Sequence, residues 1–313
     1  MIKKIASDLY CINETCKTGL LNLESILQVD DDCIEGFLSC KLCDTHYPII
    51  QGVAILVNDF HKYASQRITT FGGWIVNSKS PEIKGYLRSQ GLKIRSPTFN
   101  DHYEENNTGY QSYMNFYHGF SADDRLLQLL KKQIKPDNIY KMLSSRSLKL
   151  NGVGLDLGCA IGSSTFELSK KLSYVFGIDM SFSFIFAARR TMHVRKSRNI
   201  EFIVADAANL PFKSKIFESV VALNIVDRID LYKLVTSVNG CIKKHGKLIL
   251  IDPYHFIDNN DRDKFDSVEL RKKLLTFGYT TKNKESYIPW IIKINERSYL
   301  FYFVDLIEAS KID

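Results

Sequence analysis

Residues 154–168 read GLDLGCAIGSSTFEL, and this stretch decides the fold of the chain. A short apolar strand with the acid Asp156 near its end runs into a glycine-rich turn, and Ser163 then opens a helix. A strand, a glycine-rich turn and a helix in this order are typical of segments that wrap around a nucleotide-like cofactor. The residues of the turn therefore decide which cofactor the chain takes.

The turn lacks the residues that a dinucleotide or a nucleoside triphosphate requires. Counting from Gly158, the positions that a dinucleotide fingerprint reserves for glycine hold Ala160 and Ser163, and no Gly-Lys-Ser or Gly-Lys-Thr follows as in a P-loop. The carboxylate of Asp156 would repel a pyrophosphate, whereas it suits a cofactor that carries an ammonium group. S-adenosylmethionine has an ammonium group and a cationic sulfonium, so the turn predicts that cofactor rather than NAD.

After residue 150, strands alternate with segments of helical length. The strand-like runs are GVGLDL, YVFGID, NIEFIVAD, FESVVALN and GKLILID, and two later runs, PWIIKI and SYLFYFVDLI, predict a hairpin at one edge of the sheet. Strands that alternate with crossover helices form parallel sheets, whose ligands bind at the carboxyl ends of the strands. The prediction is an α/β fold with a doubly wound, mostly parallel seven-stranded sheet of the Rossmann-like kind.

Polar side chains recur where the next strands end. Asp179 ends the second strand, where an acid can accept hydrogen bonds from both ribose hydroxyls. Asp206 ends the third strand, within reach of the adenine amino group, and Met180 with the backbone of Ala207 would enclose the adenine ring. Asn224 ends the fourth strand, under the methionine portion. Polar groups that converge at strand ends predict a cofactor site.

Residues 150–310 resemble a class I, Rossmann-like S-adenosylmethionine-dependent methyltransferase. The matching segments are LDLGCAIG, GIDMS, ADAANLPF and FESVVALNIVDRI. The resemblance implies contacts of the methionine moiety with Asp156, Gly158 and Gly162, of the ribose with Asp179, and of the adenine with Asp206. Cys159 and Ala160 belong to the same turn. Ala160 departs from the family, which usually has glycine there, and its methyl group would crowd the cofactor slightly.

Five of the seven cysteines lie within the first 43 residues, and four of them form two pairs. The pairs are Cys11 with Cys16 and Cys40 with Cys43. Such pairs on tight knuckles are typical of a zinc ribbon, in which four thiolates close a tetrahedral site. A segment this short buries little apolar surface, so metal binding would supply much of its folding energy. Free thiols, or a redox pair at Cys40 and Cys43, are the alternatives.

The same stretch resembles the small zinc-ribbon activator subunit that partners methyltransferases acting on tRNA, ribosomal RNA and release factors. The shared features are the cysteine pairs and the segment CKLCDTHYPIIQGVAILV. The first pair departs from that family, because four residues separate Cys11 from Cys16 where two are usual. Cys33 and His46 lie outside the matched pairs and are the alternative ligands if Cys11 does not serve.

The length of 313 residues fits about two domains. We expect a zinc-ribbon-like domain at 1–60, a linker with an aromatic lid at 61–120, and an S-adenosylmethionine-binding domain at 121–313. The pattern of the middle segment is irregular, and a helix is expected after Ser121. Because no signal peptide and no run of about 18 apolar residues is found, we expect a cytoplasmic protein without a membrane partner.

The expected activity is methyl transfer to a nucleophile on a small metabolite or a peptide. An RNA methyltransferase and a non-catalytic S-adenosylmethionine-binding protein are the alternatives. The net charge is +7, but basic clusters such as Arg189–Arg190 lie on predicted helix faces and form no track interleaved with aromatic residues, so RNA is not favoured. Alignment supplies much of the rate of methyl transfer. No catalytic residue is therefore assigned, and His118, Asp227 and His255 are the candidates for a base.

Overall fold

The structure is a computed structural model, and it describes residues 3–16, 19–95, 138–145, 152–256, 265–295 and 297–312. The chain divides into two compact units that do not follow the order of the sequence. The first unit comprises Met1–Tyr110, Asp179–Ser197 and Glu201–Lys213, and the second comprises Gln111–Ile178, Arg198–Ile200 and Ser214–Asp313. Each unit is therefore assembled from separated stretches of chain.

The first unit begins with a 3-10 helix at Lys3–Asp8 and a four-stranded antiparallel meander. The strands are β1 (Leu21–Val29), β2 (Asp32–Cys40), β3 (His46–Ile50) and β4 (Val53–Leu56). Gln51 and Gly52 join β3 to β4 with φ angles of 52° and 82°. A two-residue turn with both φ angles positive matches the twist of the strands that it connects, which favours a tight hairpin.

The fourth strand of the meander joins a strand from much later in the sequence. It pairs in parallel with β7 (Ile200–Ala205), and Leu56 lies opposite Ala205. Both strands are buried at every position and apolar except at Glu201, as expected for strands that are covered on both faces. The N-terminal region and the third predicted strand of the α/β domain therefore share one hydrogen-bonded ladder.

Residues 60–91 are helical, which corrects the expectation of an irregular pattern in this part of the chain. The helices are α1 (Phe60–Ser65), α2 (Ile68–Asn77) and α3 (Pro81–Gly91). The side chains of Asp59 and Ser80 accept hydrogen bonds from backbone N–H groups at the starts of α1 and α3. Trp74 of α2 is buried and makes an edge contact with Phe182. N-terminal caps and aromatic packing thus stabilise helices whose apolar periodicity is weak.

The second unit contains a parallel sheet with the strand order β6-β5-β8-β9. The strands are β5 (Val153–Leu157), β6 (Tyr174–Asp179), β8 (Phe217–Leu223) and β9 (Ile242–Asp252). The helix Ser163–Leu168 connects β5 to β6, and the helix Leu231–Cys241 connects β8 to β9. Because β5, β6, β8 and β9 run in parallel, their carboxyl ends lie at the same edge of the sheet.

An antiparallel hairpin extends this sheet, as the sequence predicts. It consists of β10 (Tyr279–Asn295) and β11 (Ser298–Lys311), and β11 pairs with β9. Trp290 of the hairpin is buried in an apolar cluster with side chains from the parallel strands and from the helix Asn138–Ser145. The α/β fold with a mostly parallel central sheet is thereby confirmed, and all seven predicted strands are present.

Some predicted features lie outside the described residues. They are the lid residues beyond 95, His118, and the helix expected after Ser121. In the parts of the chain that the structure describes, no helix combines the length and the hydropathy that crossing a membrane requires.

Candidate functional site

The turn after β5 is built from left-handed backbone conformations. Gly158, Ala160 and Gly162 have φ angles of 65°, 47° and 88°. The N–H of Cys159 donates to the carbonyl of Ile178 at 2.9 Å, and the N–H of Gly162 donates to the carbonyl of Cys159 at 2.8 Å. Left-handed residues joined by short backbone bonds make a compact turn that allows a ligand to approach the main chain closely.

Gly158 suits the left-handed backbone of this turn better than Ala160 does. A Cβ atom on Gly158 would lie 2.9 Å from Cδ1 of Ile225, so a larger residue there would displace a neighbour in addition to straining φ. Ala160 does carry a Cβ, and a left-handed φ costs such a residue about 1 kcal/mol. The position at which this chain departs from the methyltransferase family is therefore one whose backbone suits glycine.

Asp156 is fully buried, with an exposed fraction of 0%. Its carboxylate connects β5 to the following helix through hydrogen bonds. Its Oδ2 accepts hydrogen bonds from Oγ of Ser164 at 2.6 Å and from Oγ1 of Thr165 at 2.5 Å. The sequence predicts this carboxylate as an acceptor for an ammonium group. The structure shows a further role, because the carboxylate also fixes the start of the helix that follows the turn.

The segment after β8 is held by an acid that the sequence predictions do not include. Asn224 has a φ angle of 55°, and its N–H donates to the carbonyl of Ile251 at 2.8 Å. Asp252, the last residue of β9, accepts hydrogen bonds from the N–H groups of Val226 at 2.9 Å and Tyr254 at 2.8 Å. A single acid at the end of the apolar run LILID is the signal that could have identified it.

Asp227 and Asp252 are both buried, with exposed fractions of 8% and 1%. Burial, and then the negative charge of Asp227, raises the pKa of Asp252 to about 7. Burial also raises the pKa of Asp227, although Nε of Arg228 lies 3.3 Å from its Oδ1 and opposes this effect. A carboxyl group that titrates near neutrality can accept or donate a proton at pH 7. Asp252 is such a group, and of the two candidate bases that the structure describes, Asp227 is buried whereas His255 is exposed.

In the first unit, the turn after β6 carries Asp179 and Met180. Oδ1 of Asp179 accepts the N–H of Ser181 at 2.8 Å, and Ser181 in turn caps the helix Phe182–Val194. The hydroxyl of Tyr63 donates to the carbonyl of Met180 at 2.8 Å. Met180 is 39% exposed, which is unusual for a large apolar side chain between a buried strand and a packed helix. Its flexible thioether is thus accessible for packing against a flat ring.

The turn after β7 carries Asp206 and Ala207. Oδ1 of Asp206 accepts the N–H of Ala208 at 2.8 Å, and the carbonyl of Asp206 accepts the N–H of Asn209 at 3.0 Å. The side chain of Ala207 is buried, so its predicted contribution rests on its backbone. The turn is therefore closed by local hydrogen bonds from Ala208 and Asn209 back to Asp206.

The first unit also brings the four predicted zinc ligands together. The sulfur atoms of Cys11, Cys16, Cys40 and Cys43 all lie within 4.8 Å of one another. Sγ–Sγ distances are 3.5 Å for Cys11 and Cys43 and 3.6 Å for Cys16 and Cys40. Zinc–sulfur bonds of about 2.3 Å in a tetrahedron place the sulfur atoms roughly 3.8 Å apart. The cluster thus has the donor set and the spacing of a structural zinc site.

The two alternative ligands lie apart from this cluster. Sγ of Cys33 donates to the carbonyl of Glu35 at 3.4 Å, and Nδ1 of His46 lies 2.7 Å from Oγ of Ser39. Neither residue belongs to the group of clustered sulfur atoms.

Hydroxyl groups next to the cluster hold two of the thiols and were not predicted from the sequence. The hydroxyl oxygen of Tyr47 lies 3.2 Å from Sγ of Cys11, and Oγ1 of Thr45 lies 3.1 Å from Sγ of Cys43. Burial raises the pKa of the Cys11 thiol to about 12, whereas the hydrogen bond with Thr45 lowers the pKa of Cys43 to about 7. Zinc binds thiolates, so the metal would displace a tightly held proton from Cys11.

Curated relatives match part of the chain. An uncharacterized protein of Methanocaldococcus jannaschii is 25% identical over 141 residues, which are 44% of this chain and 58% of that protein. A demethylmenaquinone methyltransferase of Lactococcus lactis is 28% identical over 105 residues, 32% of this chain and 42% of that protein. A carboxy-S-adenosyl-L-methionine synthase of Vibrio atlanticus is 29% identical over 133 residues, 39% of this chain and 53% of that protein. The chain spans about half the length of the curated relatives it matches.

The stretch that carries the predicted cofactor-binding residues also matches the model of a protein family. This stretch runs from β5 to β9 and includes the turn after β5 and the ends of β6, β7 and β8. Residues 155–250 match the family model described as a methyltransferase domain.

Proposed function

We propose that the chain is an S-adenosylmethionine-dependent methyltransferase. The observation that carries this proposal is the turn after β5, in which the left-handed residues Gly158, Ala160 and Gly162 follow a buried acid. The turn lies in the segment that matches a methyltransferase-domain family. Two relatives support the proposal by their names, one as a methyltransferase and the other as the synthase of an S-adenosylmethionine derivative.

In this proposal, the turn after β5 and the end of β8 bind the methionine portion of the cofactor. The left-handed turn allows close approach to the main chain, and the side chains at its two sides offer oxygen acceptors for an ammonium group. The residues assigned to this role are Asp156, Gly158, Cys159, Ala160, Gly162 and Asn224.

The turns after β6 and β7 bind the nucleoside in this proposal. Asp179 accepts hydrogen bonds from the ribose hydroxyls, and Asp206 accepts one from the adenine amino group. Met180, whose side chain is accessible, and the backbone of Ala207 pack against the adenine ring. Recognition of this kind relies on hydrogen bonds and flat apolar contact, which the short, locally closed turns can supply.

The bound cofactor would supply an electrophilic methyl group on its sulfonium. The chain's own residues hold the reactants in line and exclude water, and these two effects account for much of the rate in such reactions. Where the acceptor must lose a proton, the buried pair of Asp227 and Asp252 is the described group whose raised pKa values suit proton transfer.

We propose a small metabolite or a peptide as the methyl acceptor. The demethylmenaquinone methyltransferase of Lactococcus lactis is named for a small-molecule acceptor, which favours this class. RNA is less favoured because Arg189, in one of the basic clusters, is only 2% exposed and forms ion pairs with Asp32 and Glu201. A guanidinium that is buried in this way is not available to a phosphate.

We also propose that the four clustered cysteines hold one structural zinc ion. Cys11, Cys16, Cys40 and Cys43 supply four sulfur ligands, and a site with four protein ligands leaves no open position for catalysis. Tyr47 and Thr45 orient two of the sulfur atoms.

Binding of S-adenosylhomocysteine, measured by calorimetry, tests the cofactor assignment. Asp179→Ala removes an acceptor from two ribose hydroxyls and should weaken binding by about 2–3 kcal/mol. Glu82→Ala, which changes an exposed acid on α3, is the matched control and should bind as the wild type does. Equal affinity of the wild type and Asp179→Ala would contradict the assignment.

Labelled S-adenosylmethionine tests the acceptor. The enzyme is incubated with the labelled cofactor and a cell extract, and the products are separated into RNA, protein and small-molecule fractions. We expect label in the small-molecule or the peptide fraction. Label in RNA would support an RNA methyltransferase, and label in no fraction despite tight cofactor binding would support a non-catalytic binding protein.

A further inference from the structure

The N-terminal region makes direct contact with the turn that follows β7. Nδ2 of Asn209 donates one hydrogen bond to the carbonyl of Ile12 at 3.2 Å and another to Oδ1 of Asn58 at 3.0 Å. The backbone N–H of Asn209 donates to the carbonyl of Asp206 at 3.0 Å. One side chain therefore connects the proposed adenine-binding turn with two separate N-terminal segments.

Backbone hydrogen bonds extend this contact along the chain. The N–H of Tyr10 donates to the carbonyl of Pro211 at 2.9 Å, and the N–H of Lys213 donates to the carbonyl of Asp8 at 3.1 Å. The segment that carries Cys11 therefore lies alongside the residues that follow the adenine-binding turn. The position of one segment constrains the position of the other.

Ile12 belongs both to this contact and to the cysteine cluster. It follows Cys11 directly, and its N–H donates to the hydroxyl oxygen of Tyr47 at 3.2 Å. The same hydroxyl oxygen lies 3.2 Å from Sγ of Cys11. The N–H of Ile12 is thus held by a side chain of the cysteine cluster, whereas its carbonyl holds Asn209 of the adenine-binding turn.

We propose that the four-cysteine site and the adenine-binding turn are energetically coupled through Asn209, so that zinc raises the affinity for the adenosyl group. This inference rests on the proposed cofactor and zinc sites, and it goes beyond them by assigning the metal a regulatory effect on cofactor binding. Four thiols without a metal are not cross-linked, and the backbone that carries them is correspondingly less ordered. Zinc fixes Cys11 and with it the carbonyl of Ile12, which then holds the turn in the conformation that binds adenine.

Coupling between two ligands is reciprocal, and this property provides the test. The affinity of the protein for S-adenosylhomocysteine is measured by calorimetry with and without zinc. The affinity for zinc is measured by competition with a chromophoric chelator, with and without S-adenosylhomocysteine. In the wild type we expect both affinities to rise by the same factor, of about fivefold or more.

Two variants distinguish the effect of Asn209 on the coupling factor from the effects of other contacts in the first unit. Asn209→Ala removes both side-chain hydrogen bonds and should reduce the coupling factor to less than about twofold, with both ligands still bound. Tyr63→Phe is the matched control, because it removes the bond to the carbonyl of Met180 and leaves the cysteine cluster untouched. It should lower the affinity for S-adenosylhomocysteine and keep the coupling factor of the wild type.

The outcomes distinguish this inference from the proposed function. A coupling factor of one in a wild type that binds both ligands would overturn the inference and leave the proposed function intact. An unchanged factor in Asn209→Ala would overturn the role of this side chain. Failure of the zinc-loaded wild type to bind S-adenosylhomocysteine at all would overturn the proposed function, and the inference with it.

Discussion

The N-terminal cysteine region and the parallel sheet of the second unit are stabilised by different interactions. The sheet packs around a continuous apolar cluster that includes Val221, Ile249 and Trp290. In the cysteine region, four sulfur atoms lie within 4.8 Å of one another, two of them next to hydroxyl groups, and the proposed zinc ion would bind all four. Apolar contacts are numerous and individually weak, whereas a metal site is lost as a whole when one ligand is removed. The two regions should therefore respond very differently to single changes.

Buried charged side chains also join the N-terminal region to the helix Phe182–Val194. Arg189 of this helix contacts Asp32 through two hydrogen bonds at 2.7 and 2.8 Å and forms an ion pair with Glu201 of β7. Nε2 of His193 lies 3.3 Å from Oδ2 of the same aspartate. The first unit thus contains buried ion pairs that are costly to break, in addition to the aromatic packing around Trp74. Trp74 and Trp290, the two tryptophans of the chain, lie in different units and report on them separately.

The largest effect is expected from loss of the metal. Purified protein should contain about one zinc per chain, and the double variant Cys40→Ser/Cys43→Ser should contain none, because it keeps only two of the four clustered sulfur ligands. Elemental analysis measures the metal. Cys33→Ala, which changes a cysteine outside the cluster, should keep the zinc. Protein prepared without chelators that contains no metal would contradict this prediction.

A smaller effect is expected from breaking the buried ion pairs. Arg189→Ala leaves the carboxylate of the fully buried Glu201 without its guanidinium partner and should destabilise the first unit by about 3–5 kcal/mol. Urea unfolding followed through Trp74 measures this change. The neighbouring Arg190 is exposed, and Arg190→Ala should change stability by less than about 0.5 kcal/mol. Equal stability of the two variants would show that the ion pairs do not stabilise the first unit.

The second unit should show a pH dependence that comes from Asp252. Its pKa is raised from 3.8 to about 7 by burial and by the charge of Asp227, so the folded state binds more protons than the unfolded state between these values. Stability should therefore fall as the pH rises from about 4 to about 7, by roughly 4 kcal/mol, because each pKa unit corresponds to about 1.4 kcal/mol. Asp252→Asn should flatten this dependence, as measured by urea unfolding through Trp290 in a Trp74→Phe background. An identical pH slope in this variant would assign the dependence to other groups.

The smallest effect is expected at Ala160. Ala160→Gly relieves a left-handed φ that costs about 1 kcal/mol, but it also adds about 0.4–1 kcal/mol of unfolded-chain entropy, so stability should barely change. Removing the methyl group should improve the affinity for S-adenosylhomocysteine by roughly two- to threefold, or about 0.4–0.6 kcal/mol. Calorimetry measures this change. Weaker binding by the variant would show that the methyl group makes a favourable contact.

Local patterns in the sequence predict the parallel strands, the edge hairpin and the members of the cysteine cluster. Each of these features depends on residue periodicity or on spacing within a short segment, as in LDLGCAIG and CKLC. The pairing of Asp32 with Arg189 could not be predicted, because the two residues are 157 positions apart and each side chain alone is typical of a solvated surface. Asp252 was missed for a related reason, since an acid at a strand end is common and only burial gives it a perturbed pKa.

The helices at residues 60–91 could not be predicted from the apolar periodicity of the sequence either. Two glycines and several β-branched residues in α2 weaken the helical signal, and the packing of Trp74 against Phe182 supplies the stabilisation that intrinsic propensity does not. The contacts of the turn after β5 with the cofactor stay a prediction. The bonds from Ser164 and Thr165 to Asp156 depend on how the helix starts, which only the structure shows.

The discontinuous first unit also imposes an order of events on biosynthesis. All four clustered cysteines emerge from the ribosome within the first 43 residues, so the metal can bind early. Asp32, in contrast, must wait for Arg189, which is 157 residues away, or roughly 8–30 s at ordinary rates of translation. During that interval β4 presents an unpaired strand edge, because its partner β7 has not been made. In a nascent chain that binds zinc promptly, the edge of β4 would adjoin an already folded cysteine region. In a chain without zinc, the same edge would be exposed to aggregation.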